Sequence, residues 1–366
     1  MAKESQSIFL SLLRAGLWEQ KCCHISFCKK ELQEVYRLSQ EQAVVGLIAA
    51  GLEQVIDFKV PREIILTFAS DVLQLEQRNI AMNNFVSELV SSMLGADINF
   101  ILVKGQGIAQ CYERPLWRAC GDVDMLLNGE NYRLAKEKLS QIASEVDEEN
   151  LKTLHLGMTI KQWEVELHGT LRSGLWHRLD RGIDEAQAKV LYGGSVRSWA
   201  NESVQILLPG INEDIIFVFS HILQHFFIGG IGLRQICDWC RLLWKYRNST
   251  DYGLLEQRLR EMKAMSEWRA FASLAVNYLG YPSEVMPLYD DSSRWSRKSK
   301  QILSIMIETG NMGHKRDVHY QHKYPMPLRK LITFGRITKD AYNQFLIFPK
   351  DALIVWWKML TRGFEH

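Results

Sequence analysis

Cysteine is scarce in this chain, and the scarcity already narrows its class. Seven cysteines among 366 residues are too few, and too odd in number, to build a disulfide framework. They suit a reducing compartment, so a cytoplasmic protein is expected. Cys22, Cys23, His24 and Cys28 form one possible zinc grouping, and Cys237 and Cys240 another. Structural zinc needs such pairs at matching separations, and roughly 200 residues part these two, so both read as plain thiols. Long apolar runs are also missing. No stretch of 18 apolar residues suggests a transmembrane helix, and "MAKESQSIFLSLLRAGLW" lacks the continuous apolar core and cleavage site of a signal peptide. No membrane partner is expected. Net charge is nearly absent at +2, which argues neither for nor against a polyanionic ligand. Locally the balance differs: residues 294–339 carry eleven Lys/Arg against Glu308 and Asp317. That tract reads first as a solvated basic face, and no recognised RNA-binding motif supports nucleic acid there.

What is present is an ordinary core-forming composition, 47% apolar and 23% charged, on a chain long enough for two or three domains. Residues 1–95 read as helix. Leu32, Val35, Tyr36, Ala43 and Leu47 recur at helical spacing, and Pro61 opens a second long helical segment. From 96 to 210 strands and helices alternate. Ile98 to Val103 and Val123 to Leu127 are expected strands, Gly105 to Tyr112 and Tyr132 to Ala143 expected helices. "HLGMTI" and "WEVELHG" read as a hairpin turning at Lys161-Gln162, and "VQILLP" as a last strand. Residues 211–366 are helical again, with 310–327 as an irregular loop. The expected fold is α+β: a small mixed-sheet domain flanked by N-terminal and C-terminal helical regions.

One strand is oddly charged. In "KGQGIAQCYERPLWRACGDVDMLL", Asp122 and Asp124 are spaced i, i+2 and so share a strand face, with Val123 and Met125 on the other. Two ionised carboxylates side by side repel each other, and a divalent cation, magnesium or manganese, is the usual remedy. The plain alternative is an exposed or salt-bridged pair at a strand end. The neighbours favour the cation. Lys104, Gly105, Gln106 and Gly107 form a glycine turn where backbone can approach a phosphate, with the lysine at the strand tip. Arg118 precedes the pair by four residues, and Glu164, Glu166 and His168 lie on one face of the later strand. A third carboxylate opposite the pair is what two-metal phosphoryl transfer requires.

These motifs resemble the polymerase-beta-type nucleotidyltransferases, and most closely a bacterial group of uncharacterised nucleotidyltransferases sharing K-G, R-x-x-x-D-[IV]-D and E-L-H. The toxin-like nucleotidyltransferases with K-G-G-T are a more distant likeness. "HILQHFF…GLRQICDW" is similar to the helical half of the bacterial group, with His225, Arg234 and Asp238 at matching positions. The resemblance implies a magnesium-dependent enzyme that moves an NMP group from an NTP, with ATP expected, to a hydroxyl acceptor and releases pyrophosphate. Asp122 and Asp124 would bind the metal, and Glu166 would complete the site as metal ligand or acceptor-side base. Lys104, Gly105, Gln106, Gly107, Arg118 and Arg234 would face the nucleotide. The acceptor, a small molecule or protein, is not specified. Gln106 departs from the usual Gly-Gly or Gly-Ser turn, which keeps open a nucleotide-binding or regulatory protein without turnover. A metal-dependent nuclease or phosphatase would use the same carboxylates. His225 also reads as a packed core residue, and Arg234 with Asp238 as an i, i+4 brace.

Overall fold

A computed structural model describes residues 2–22, 27–56, 59–311 and 325–364. Cys23, His24 and most of the 310–327 segment, with its basic residues 315, 316 and 323, lie outside the described residues. The N-terminal helices are α1 (Ala2–Trp18), α2 (Lys29–Glu41), α3 (Val45–Glu53) and α4 (Arg62–Leu94). The spacing from Leu32 to Leu47 suggests one helix, but the structure splits it. Ala43 takes a left-handed φ of 54°, and Val44 N–H turns back to Ser39 O at 2.8 Å. The break frees the buried Gln42 side chain to serve two other helices, as described below.

The sheet domain follows in the order β1 (Ile101–Val103), α5 (Gly105–Ala109), β2 (Asp122–Leu126), α6 (Gly129–Ser140), β3 (Glu145–Val146), β4 (His155–Ile160) and β5 (Trp163–His168). Strand order is β1-β2-β5-β4-β3, mixed in direction: β2 and β5 run parallel, and the other pairs antiparallel. The first strand is shorter than its apolar run because Ile98 N–H closes the end of α4 on Met93 O at 3.0 Å. A helix α7 (His177–Leu191) and a separate hairpin, β6 (Val196–Asn201) and β7 (Val204–Pro209), come next. The helical half comprises α8 (Ile211–Gln224), α9 (Leu233–Lys245), α10 (Tyr252–Glu261), α11 (Met265–Leu279), α12 (Ser293–Thr309) and the helices Met326–Phe345 and Pro349–Phe364. The architecture is α+β, with helices at both ends. Among the described residues no helix is long and apolar enough to cross a membrane.

The two faces of the sheet do different work. Val123, Met125, Val165 and Leu167 pack with Met82, Phe85 and Leu89 of α4 and with Tyr132 and Leu139 of α6 into one core. The second half of α4 therefore belongs to the sheet's core. The alternate residues, Asp122, Asp124, Glu164 and Glu166, cannot join that layer, because successive strand residues point to opposite faces. Asp124 and Glu166 instead line a cavity shared with residues of α8 and α9.

Candidate active site

Register places the carboxylates together. Parallel pairing of β2 with β5 sets Asp122 beside Glu164 and Asp124 beside Glu166. Carboxylate oxygens of Asp122, Asp124 and Glu166 lie within 4.8 Å of one another, whereas Glu164 is exposed and outside that group. All three line a cavity of about 500 Å³, a size suited to a nucleotide-sized ligand.

The strand tip before this site is backbone-strained. Lys104 has φ 57° and ψ −141°, a conformation that favours glycine, and Gly105 follows at φ 37°. Such residues cost about 1–3 kcal/mol and persist where surroundings over-determine them. Here the strain turns the Lys104 stem inward, so that Nζ lies 2.8 Å from Asp124 Oδ1. His168 Nε2 lies 2.7 Å from the same oxygen. The other oxygen, Asp124 Oδ2, is buried without a hydrogen-bond partner.

The electrostatics follow from this crowding. The charge of Asp124, then burial, raises the Asp122 carboxyl above its ordinary value. Burial pushes Asp124 up as well, but the Lys104 ammonium and His168 outweigh it and hold Asp124 low. Burial opposes the charge of Glu166 too, yet hydrogen bonds from His155 and His168 carry it well below the usual carboxylate range. His168 is raised despite burial, because Asp124 and Glu166 favour its protonated form. Three carboxylates thus share one lysine and the histidines, and a buried oxygen remains unserved. Oxygen-rich, negative and partly unpaired, the group fits a hard divalent cation.

The remaining expected site residues fall into two sets. Gly105 lines the cavity, but Gln106 and Gly107 do not. Gln106 turns inward, accepting from Cys120 Sγ at 2.9 Å, and a Cβ on Gly107 would come within 2.7 Å of Leu208. Those two residues seat the turn against β7 and the loop. Arg118 reaches the cavity wall with its guanidinium engaged: Nε and Nη2 donate to both oxygens of Asp238 at 2.8 and 2.7 Å. Tyr112 Oη donates to the same Asp238 at 2.7 Å. Asn79 of α4 fixes the loop behind, donating to Leu116 O and Arg118 O at 2.7 and 2.8 Å. Arg234 is different. It lines the cavity near the start of α9, donates from Nη1 to Ala119 O at 2.9 Å, and leaves a buried Nε without a partner. Gln42 Oε1 accepts from Leu233 N–H at 2.9 Å, which anchors that helix start.

Sequence reasoning missed His155 and His221. His155 sits opposite His168 in the hairpin, with Nε2 3.2 Å from Glu166 Oε2. His221 and His225 line the cavity with their Nε2 atoms 3.0 Å apart, and a single π turn over His225–Gly229 follows α8. Burial, then the Lys104 charge, lowers both, His225 to about 4 and His221 well below its ordinary value, so the pair is uncharged at neutral pH. The i, i+4 spacing of 221 and 225 was a legible signal.

The fold and this charged cavity define a candidate phosphoryl-transfer site, and the family comparison makes the class explicit. A family model for uncharacterised nucleotidyltransferases matches residues 29–280, and the chain belongs to that family. No curated protein and no solved structure matches it.

Proposed function

We propose that the chain is a magnesium- or manganese-dependent nucleotidyltransferase of the polymerase-beta type, of bacterial character, using ATP and a hydroxyl acceptor. The observation that carries the reading is the convergence of Asp122, Asp124 and Glu166 on one cavity in a member of a nucleotidyltransferase family. In the reaction the acceptor oxygen bonds to the α-phosphorus, the bond to the β-phosphate oxygen breaks, and pyrophosphate departs. The acceptor proton passes to a base. Asp122, Asp124 and Glu166 would hold the divalent ion, which supplies charge neutralisation at the phosphates when bound.

The chain's own groups then divide the work. Glu166, kept ionised by the two histidines, serves as a ligand. His225 is uncharged and lies in the cavity, so it is available to take the acceptor proton. Arg234, with an unpartnered Nε, supplies a cation for the nucleotide's phosphates. Arg118 acts behind it by fixing α9 through Asp238. Lys104 balances Asp124, and with a cation held by the carboxylates its ammonium would be available to a distal phosphate. The inward turn of Gln106 favours the second reading, a nucleotide-binding protein without turnover, because that residue offers no hydroxyl to a phosphate. Calorimetry of ATP with and without magnesium, then pyrophosphate release in the presence of cell extract, separates the two. Binding without release selects the second reading; no magnesium-dependent binding rejects both.

A further inference from the structure

The carboxylate trio leaves one feature of the cavity unused. His155 Nε2 and His168 Nε2 each lie 3.2 Å from a single oxygen, Oε2 of Glu166. The hairpin register enforces this: His155 and His168 are directly paired across β4 and β5, and Glu166 shares the face of His168 two residues earlier. The ring centroids are 4.9 Å apart. All three donor atoms fall within 4.8 Å of one another.

We infer that His155, His168 and Glu166 form a second cation position, one that takes a nitrogen-preferring first-row metal ion such as zinc or cobalt. Donor spacing is the first argument. Ligands about 2.0–2.1 Å from a tetrahedral ion stand about 3.3 Å apart, close to the separation of each imidazole nitrogen from Glu166 Oε2. Donor chemistry is the second. Two imidazoles and one carboxylate suit zinc and its neighbours, whereas magnesium prefers oxygen and keeps its waters. Three protein ligands would leave a tetrahedral ion one further position, the pattern of a reactive rather than a closed site, and all three residues line the cavity. The adjoining carboxylate is also short of donors. Asp124 Oδ2, from a carboxylate whose other oxygen touches His168, is buried and unpartnered beside this group.

Glu166 would then serve both positions, one carboxylate oxygen toward Asp122 and Asp124 and the other toward the histidines. The inference shares that residue with the proposed transfer site but does not rest on transfer.

Cobalt titration of the full chain tests it, read by visible ligand-field absorption and by metal content after dialysis. One equivalent is expected per chain, with the band of a low-coordinate, nitrogen-ligated ion, and magnesium in excess should not displace it. His155 is 39% exposed at its side chain, so His155→Gln should fold normally and weaken cobalt binding at least about tenfold. His168→Gln provides a second variant, and melting curves check the fold of both. Asp122→Asn should keep the cobalt band. Absence of the band in the wild type overturns the inference, as does an unchanged affinity in both histidine variants. Loss in Asp122→Asn with retention in His155→Gln also overturns it, by assigning the ion to the carboxylates. MgATP titration of the same proteins reports separately on nucleotide binding, so either reading can fail alone.

Discussion

Two buried charge clusters lie a few residues apart, and they are finished in opposite ways. At the joint between sheet and helices, Asp238 receives Arg118 on both oxygens and Tyr112 besides. Glu213 is likewise met by Arg258 at 2.7 Å and by Ser195. Those networks are closed, with donors matched to acceptors. On the sheet face, three carboxylates meet one lysine and a pair of histidines, and Asp124 Oδ2 meets nothing. Burying unpaired charge is expensive, so folding alone would not retain such a cluster. The contrast separates charges that hold the protein together from charges kept for a ligand. Glu267 shows a third solution. Burial, then the neighbouring Asp351 carboxylate, pushes its carboxyl well above the ordinary range, which favours the neutral form over the charged one.

Breaking the closed cluster should have the largest effect. Asp238→Ala strands the buried Arg118 guanidinium and should cost about 3–5 kcal/mol in urea unfolding. A loss below about 1 kcal/mol would dissolve the distinction between the two clusters. Within the open cluster, Glu166→Gln should lower transfer roughly a hundred- to a thousandfold, the range seen when one group stabilising a transition state is removed. Glu164→Gln, an exposed neighbour, should leave turnover near the wild type. Equal losses from both would undo the assignment of Glu166. Lys104→Ala should weaken ATP about tenfold, roughly 1.4 kcal/mol, and AMP hardly at all. Equal weakening of the two nucleotides places the ammonium away from the distal phosphates.

The smallest effect belongs to Glu267. Because the folded pKa of Glu267 is raised, its contribution is full below the ordinary carboxyl value of 4.5 and is lost as pH rises through the elevated one. Wild-type Tm should therefore fall as pH rises above the ordinary carboxyl value. Glu267→Gln should flatten that slope; an unchanged slope assigns it to other groups.

Much of the open cluster is legible in the sequence. Strand alternation put Asp122 with Asp124 and Glu166 with His168, and the apolar alternates fell into the core as expected. His155 was legible too, since a turn at Lys161–Gln162 fixes the pairing and counting back reaches His168. The closed cluster was not. Nothing local tells that Arg118 lies against Asp238, because that contact joins residues 120 positions apart through a helix packing on a loop. Nor did the glycine turn reveal that Gly107 packs on β7 and Gln106 on Cys120 of the loop, away from the cavity, a matter of tertiary packing. The helix break at Ala43 was hidden for a similar reason: the spacing of apolar residues continues across it, while the turn is secured by Gln42 reaching Leu233 and Met306.

The central claim is that the sheet-face carboxylates are held for a cation and not for the fold. Asp122→Asn tests it in one protein with two readouts, MgATP calorimetry and thermal unfolding. The account predicts a loss of about a hundredfold in MgATP affinity, near 2.7 kcal/mol, with Tm unchanged or slightly higher as like-charge repulsion is relieved. A sharply lower Tm with undiminished MgATP affinity would contradict it.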